Sequence, residues 1–131
     1  MTLVDSSAWV EFFRRAGDLA VKQAVARLLQ SNQAAYTCPI RFELLSGAKP
    51  GEEGDLQEAF ALSQHLPFGQ EDWLRAARLE RQLRSSGVNI PRNDLFVATV
   101  AIRANVAVLC RDAHFSAAQR VTGQSLRVEQ V

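Results

Sequence analysis

The chain predicts an α/β fold built on a short parallel sheet of four to five strands. Three observations carry this expectation. Short apolar segments alternate with longer amphipathic ones along the whole chain. Val106–Cys110 is apolar without a break, the pattern of a strand buried on both faces. Pro39, Gly47, Pro50-Gly51 and Gly87 stand at the expected boundaries, where helices start or stop.

Taken in order, Thr2–Asp5 reads as a buried strand, and Ser6 or Ser7 is placed to cap a helix over Ala8–Arg15. Gly17-Asp18 restarts the chain, and Val21, Val25, Leu28 and Leu29 give the i, i+4, i+7, i+8 stripe of a second helix. Ala34–Thr37 is the next strand. Pro39 suits the first turn of a helix that carries Phe42, Glu43, Leu44 and Leu45 and ends near Gly47. A helix over Glu53–Gln64 precedes a strand over His65–Phe68, weakly marked because of Pro67. Glu71–Ser86 is the longest helix, with Trp73, Ala76, Ala77, Leu79 and Leu83 on its expected buried side. Asn93 is placed to cap an apolar helix over Asp94–Ala104, Val106–Cys110 follows as a strand, a short helix begins at Phe115, and Leu126–Val128 closes the sheet.

At 131 residues the expectation is a single domain over 1–131 with a core of its own. A charged content of 22% argues against disorder, and the net charge of +1 neither selects nor excludes a nucleic-acid partner. Arg supplies every basic residue except Lys22 and Lys49; Arg suits phosphate, but also solvated, ion-paired faces. Cys38 and Cys110 read as reduced, half-buried thiols rather than a disulfide or zinc framework. No signal peptide or membrane span is visible, which leads to the expectation of a cytoplasmic protein.

Asp5 and Asp112 fall just after two expected strands, and Glu43 and Asp94 in the expected first turns of two helices. A parallel sheet would gather them at one edge, where such sheets bind ligands. Clustered carboxylates repel and resist desolvation unless a cation neutralises them. A hard ion with oxygen ligands, Mg²⁺ or Mn²⁺, fits best and points to phosphodiester chemistry. Singly, each acid has a plainer reading: Asp5 as a helix cap, Asp94 as a favourable charge in a first turn, Asp112 as a turn residue.

The four acidic segments resemble those of PIN-domain nucleases. Val4-Asp5-Ser6-Ser7-Ala8-Trp9-Val10 is similar to the family's opening, and Phe42-Glu43-Leu44 with Gly47-Ala48 to its second segment. Asn93-Asp94-Leu95-Phe96-Val97-Ala98-Thr99-Val100-Ala101 resembles the third, and Leu109-Cys110-Arg111-Asp112-Ala113-His114-Phe115 the fourth. At this length the likeness is to the VapC-type toxins of toxin–antitoxin pairs. It implies a three-layer α/β/α PIN domain and a Mg²⁺- or Mn²⁺-dependent endoribonuclease. Asp5, Glu43, Asp94 and Asp112 would hold the metal, with Ser7 supporting an acidic side chain or a metal-bound water. It also implies homodimerisation and a small antitoxin covering the site, where an inserted Arg would neutralise the carboxylates as a metal does. Cys110 stands where the family commonly has Thr, and His114 at the family's later acidic position, read here as a phosphate contact or turn cap rather than a ligand.

Among the basic residues, Glu71–Arg75 and Glu80–Arg84 form i, i+4 pairs on one helix face. Arg84, Arg92 and Arg111 are the candidates for RNA contact, with His114 beside them. His65 has no partner at ligand spacing and reads as structural. The rivals fail on named residues: a haloacid-dehalogenase-type site wants Asp where Ser7 stands, a receiver domain wants a late Lys, and no Gly-rich fingerprint or G-x-S-x-G appears. A PIN-like module that binds RNA or protein without cleaving, and a housekeeping nuclease, are the remaining alternatives.

Overall fold

The computed structural model describes all residues, 1–131. The element order is β1 (Thr2–Val4), α1 (Ser6–Phe13), α2 (Leu19–Gln30), β2 (Ala34–Tyr36), α3 (Cys38–Ser46), α4 (Glu53–Ala61), β3 (Gln64–His65), α5 (Asp72–Ser85), α6 (Arg92–Ala104), β4 (Ala107–Cys110), α7 (His114–Thr122) and β5 (Val128–Gln130). A single 3₁₀ turn at Gly123–Ser125 precedes β5. All strand pairs are parallel, in the order β3-β2-β1-β4-β5.

That order positions the site. The chain leaves β1 toward β2 on one side, whereas it leaves β4 toward β5 on the other. The crossovers diverge between β1 and β4, so their carboxyl ends open a crevice, the switch point of an open parallel sheet. Right-handed crossovers put α1 and α2 on one face and α5, α6 and α7 on the other. Within these layers α1 packs on α2, and α5 packs on α6 and α7. Helix α3 touches α1, α4 and α6, which carries it along the carboxyl edge of the sheet.

The central strands are buried throughout: Leu3, Val4, Ala34, Ala35, Val108 and Cys110 have no exposed surface. Trp9 and Phe115 are the largest fully buried side chains. Trp9 stacks on Phe13 at 6.0 Å and meets Phe60 edge-on at 5.9 Å, tying α1 to α4. The Val21 and Val25 stripe of α2 is buried as its spacing predicts.

Several expected boundaries shift for local reasons. Helix α1 starts two residues early because Asp5, not Ser6 or Ser7, is the cap, its side chain accepting from the Ser7 N–H. The same holds for α6, which starts after Pro91 and takes Asn93 into its first turn rather than as the cap. Strand β3 is only Gln64–His65, since Pro67 has no N–H to continue pairing with β2. Strand β5 lies two residues later than expected; Leu126 is fully buried but precedes the ladder that begins at Val108↔Val128. Trp73 was expected on the buried side of α5 and is instead 60% exposed, and Ala77 is exposed too. Both lie off the stripe formed by Ala76, Leu79 and Leu83. Cys38 is exposed and Cys110 fully buried, so neither matches the expected half-burial.

Asp72 is a buried acidic residue at the start of α5. It accepts from the Gly69 N–H at 2.8 Å, from Arg103 Nε at 2.9 Å and from Arg75 at 3.2 Å. Burial alone would raise its pKa, but these donors together hold it below the ordinary carboxylate value. Its stabilising contribution is therefore present above the unfolded carboxylate pKa and disappears as pH falls through the lowered value. Both arginines keep solvent contact, which moderates the effect. Asp72→Ala is expected to cost about 2 kcal/mol in chemical denaturation at pH 7, with that difference shrinking below about pH 4.

Candidate metal centre

Each acidic side chain is delivered by a different element. Asp5 ends β1, and its N–H is bound to the Leu109 carbonyl of β4 at 2.9 Å. Asp112 follows β4. Asp94 lies in the first turn of α6, and Glu43 lies on α3. Glu43 is not in a first turn, as the sequence suggested, but six residues into α3, and it is exposed despite its apolar neighbours. An open cleft is lined by Ser7, Glu43, Asp94, Asp112, His114 and the two arginines Arg92 and Arg111.

The tightest cluster is Asp94, Asp112 and His114, whose ligand atoms all lie within 4.8 Å of one another. His114 Nδ1 lies 2.6 Å from Asp94 Oδ2, at hydrogen-bond distance, and 3.4 Å from Asp112 Oδ1. The sequence reading gave His114 as a phosphate contact or turn cap; the fold also brings its ring within ligand reach of Asp94 and Asp112. Its nearest partner, Asp94, comes from another helix 20 residues earlier in the chain, so no local spacing announces the pair. His114 N–H also donates to Asp112 Oδ1 at 2.9 Å, so the turn is capped by Asp112.

Asp5 is outside this three-residue group but near enough to feel the charges of Asp94 and Asp112, and it is 1% exposed. Its Oδ2 accepts from both the Ser7 N–H (3.1 Å) and the Ser7 hydroxyl (2.7 Å). Its Oδ1 is buried with no partner. A buried carboxylate oxygen without a donor is costly. Burial pushes the Asp5 pKa up to about 7 despite the Ser7 hydroxyl, with Asp94 and Asp112 adding to the rise. Asp94 is raised to about 6, by burial first and then by Asp112, with His114 partly offsetting and Glu43 adding repulsion.

These facts test the fit of a divalent cation. An orphaned oxygen, mutual repulsion and a mostly oxygen donor set are what a hard ion would relieve. The residues fit.

Supporting contacts extend the site. The Ser7 hydroxyl, which donates to Asp5, also accepts the Arg111 N–H at 3.0 Å, joining β1 to the loop that carries Asp112. Cys110 points its thiol at the backbone carbonyl of Asp112 (3.7 Å) and at Gln130 Oε1 (3.8 Å), not at a carboxylate. Burial pushes that thiol up to about 12, helped by Asp112, Asp5 and Asp94, so it stays a neutral donor. Gln130 was not legible as a site residue; from β5 its Nε2 clamps the Arg111 carbonyl at 2.9 Å. Asn93 donates to Glu43 Oε2 at 3.3 Å, fixing α3 against α6.

The arginines divide. Arg111 pairs with Asp18 at 2.9 Å at the cleft edge, and that contact lowers the Asp18 pKa. Arg92 also lines the cleft and shares Glu80 with Arg84, each at 3.4 Å. Arg84 itself is on α5 and does not line the cleft. The expected Glu71–Arg75 and Glu80–Arg84 pairs are both present.

A PIN-domain family model matches residues 2–121. The chain belongs to the PIN-domain family. "Ribonuclease VapC11" of Mycobacterium tuberculosis and "VapC ribonuclease Mb1587" of Mycobacterium bovis are each 36% identical to this PIN domain over 129 residues, spanning 93% of the chain and 94% of theirs. Among solved structures, this PIN domain shares its fold with VapBC2 from Rickettsia felis bound to a promoter DNA fragment (TM-score 0.76, 16% identity, 99% and 98% of the two chains). It shares it equally with FitAcB from Neisseria gonorrhoeae (TM-score 0.77, 19% identity, 98% and 96%).

The raised carboxylates set the pH response. A folded-state pKa above the unfolded value means the metal-free fold binds more protons than the unfolded chain between about pH 4 and 7. Its stability should therefore fall as pH rises through that window. Asp5→Asn, which keeps the cap, is expected to stabilise the metal-free protein by on the order of 2 kcal/mol at pH 7.5 and by little at pH 4. Thermal melts across pH would show this, and a uniform gain at both pH values would contradict it.

Proposed function

We propose that the chain is a metal-dependent endoribonuclease and the toxin of a VapBC-type toxin–antitoxin pair. The observation that carries this reading is the orphaned Asp5 oxygen close to the Asp94, Asp112 and His114 cluster, at the sheet's switch point, in a PIN domain. The names borne by its relatives at 36% identity support RNA as the substrate.

In this reading Asp5, Asp94 and Asp112, with Glu43 across the cleft and His114 beside them, hold Mg²⁺ or Mn²⁺. A divalent ion bound there lowers the pKa of water and offsets charge that builds on the scissile phosphate. The residues around it do the remaining work. Ser7 orients Asp5 and braces the Asp112 loop, and Cys110 and Gln130 hold that loop from below. Arg92 and Arg111, on the rim, meet the RNA phosphates as cations. Arg84 has a lesser part, since it reaches the rim only through the Glu80 it shares with Arg92.

A cognate antitoxin is the second partner. A groove between α1, α3 and α4, with an apolar floor of Val10, Phe13, Leu44, Ala48 and Leu56 and charged groups of both signs around it, opens beside Glu43. Its geometry suits an antitoxin segment that continues into the cleft and presents a cation to the carboxylates. Homodimerisation is supported by exposed Trp73 and Leu74, with Trp73 backed by the half-buried rings of Phe68 and Phe96 at centroid distances of 4.9 and 5.4 Å. No helix is long and apolar enough to cross a membrane, in keeping with action in the cytoplasm.

Purified protein incubated with total RNA and Mg²⁺ or Mn²⁺ should produce discrete new ends, abolished by chelation and by Asp94→Asn. Ser7→Ala should slow cleavage about 10- to 100-fold while retaining it, as loss of a ligand's hydrogen-bond support does. Equal outcomes for wild type and Asp94→Asn, together with no Asp94-dependent site in a Mn²⁺ titration, would leave a binding module instead.

A further inference from the structure

Cys38 and His65 are not neighbours in sequence, yet β2 and β3 bring them together at the carboxyl edge of the sheet. Cys38 Sγ lies 3.4 Å from His65 Nε2, and both residues are exposed. The Phe68 N–H points at the same sulfur from 3.5 Å. Cys38 is also the first residue of the nine-residue helix α3, whose amino-terminal dipole offsets charge that develops on the sulfur as it reacts. Beneath the imidazole, the Tyr36 ring stacks at 4.8 Å and 17°, which fixes the ring against the sulfur. The pair stands apart from the carboxylate cluster, and no part of the nuclease reading uses it.

Such an arrangement offers what a reactive cysteine needs: access, a base within reach and donors that stabilise developing sulfur charge. We propose that Cys38 is a peroxide-sensitive thiol activated by His65. In this step Sγ attacks one peroxide oxygen as its proton passes to His65 Nε2. The O–O bond breaks, and the departing hydroxide takes the proton back from His65 and leaves as water. Sulfur is oxidised by two electrons to the sulfenic acid, and the peroxide is reduced.

The second thiol for any following disulfide is external. Cys110 ends β4, two strands away from the end of β2, a separation of about 10 Å at normal strand spacing. Disulfide Cα atoms come closer than about 7 Å. Cys110 is also fully buried. A small-molecule thiol would condense with the sulfenic acid of Cys38, expelling water and leaving a mixed disulfide.

The test is hydrogen peroxide treatment of the full chain at pH 7 with dimedone present, followed by mass spectrometry of both cysteines. The expected result is a dimedone adduct on Cys38 and none on Cys110, formed about tenfold faster than on the same cysteine in urea-unfolded chain. His65→Gln and His65→Phe, the second keeping a ring on Tyr36, should both bring the rate down to that of the unfolded chain. Native Cys38 reacting no faster than unfolded Cys38, or an unchanged rate in both His65 variants while circular dichroism shows them folded, would overturn the proposal.

Discussion

A carboxylate buried at the end of the central strand is the constraint around which this molecule is organised. Asp5 must occupy the end of β1 because its side chain caps α1, and β1 is covered by helices on both faces. One of its oxygens is satisfied by Ser7 and the other by nothing in the chain. Two further carboxylates, Asp94 and Asp112, then converge beside it, so the fold gathers acidic groups whose burial and mutual repulsion raise the pKa of Asp5 and Asp94. A protein gains nothing in stability from such a cluster. Its persistence is intelligible as a cost accepted for a site that is completed by a cation.

The two readings of Asp5, helix cap and metal ligand, are therefore not competitors. Capping uses Oδ2, leaving Oδ1 free. The same economy recurs at Asp112, which caps the turn before α7 through the His114 N–H while remaining in the cluster. Secondary-structure chemistry thus aims the functional groups. Ser7 extends this by bridging Asp5 and the Arg111 backbone, so that β1 and the β4 loop move together.

Much of this was legible in the chain. Alternating apolar and amphipathic segments gave the parallel sheet, and the acids after β1 and β4 were placed correctly because strand ends in such sheets face the ligand edge. What local pattern could not show was depth and direction around each helix. Glu43 sits among Phe42, Leu44 and Leu45, which suggests burial, but α3 runs along the sheet edge and leaves both Phe42 and Glu43 exposed. Trp73 is similarly outward because Leu79 and Leu83, not the aromatic ring, mark the stripe that faces α6. The His114–Asp94, Gln130–Arg111 and Cys38–His65 contacts were missed for one reason: they join residues 19 to 27 apart in sequence. Tertiary proximity of that kind leaves no periodicity to read.

The most direct test of the account is proton release on metal binding. Calorimetric titration with Mn²⁺ near pH 6.5, in two buffers of different ionisation enthalpy, measures the protons displaced. If Asp5 and Asp94 carry protons in the metal-free fold, as pKa values of about 7 and 6 require, binding should release a measurable fraction of a proton or more. That release should vanish by about pH 9, where both groups are ionised in either state. Binding with no buffer dependence at pH 6.5, or binding that survives Asp5→Asn and Asp94→Asn together, would contradict the claim that these buried carboxylates form the metal centre.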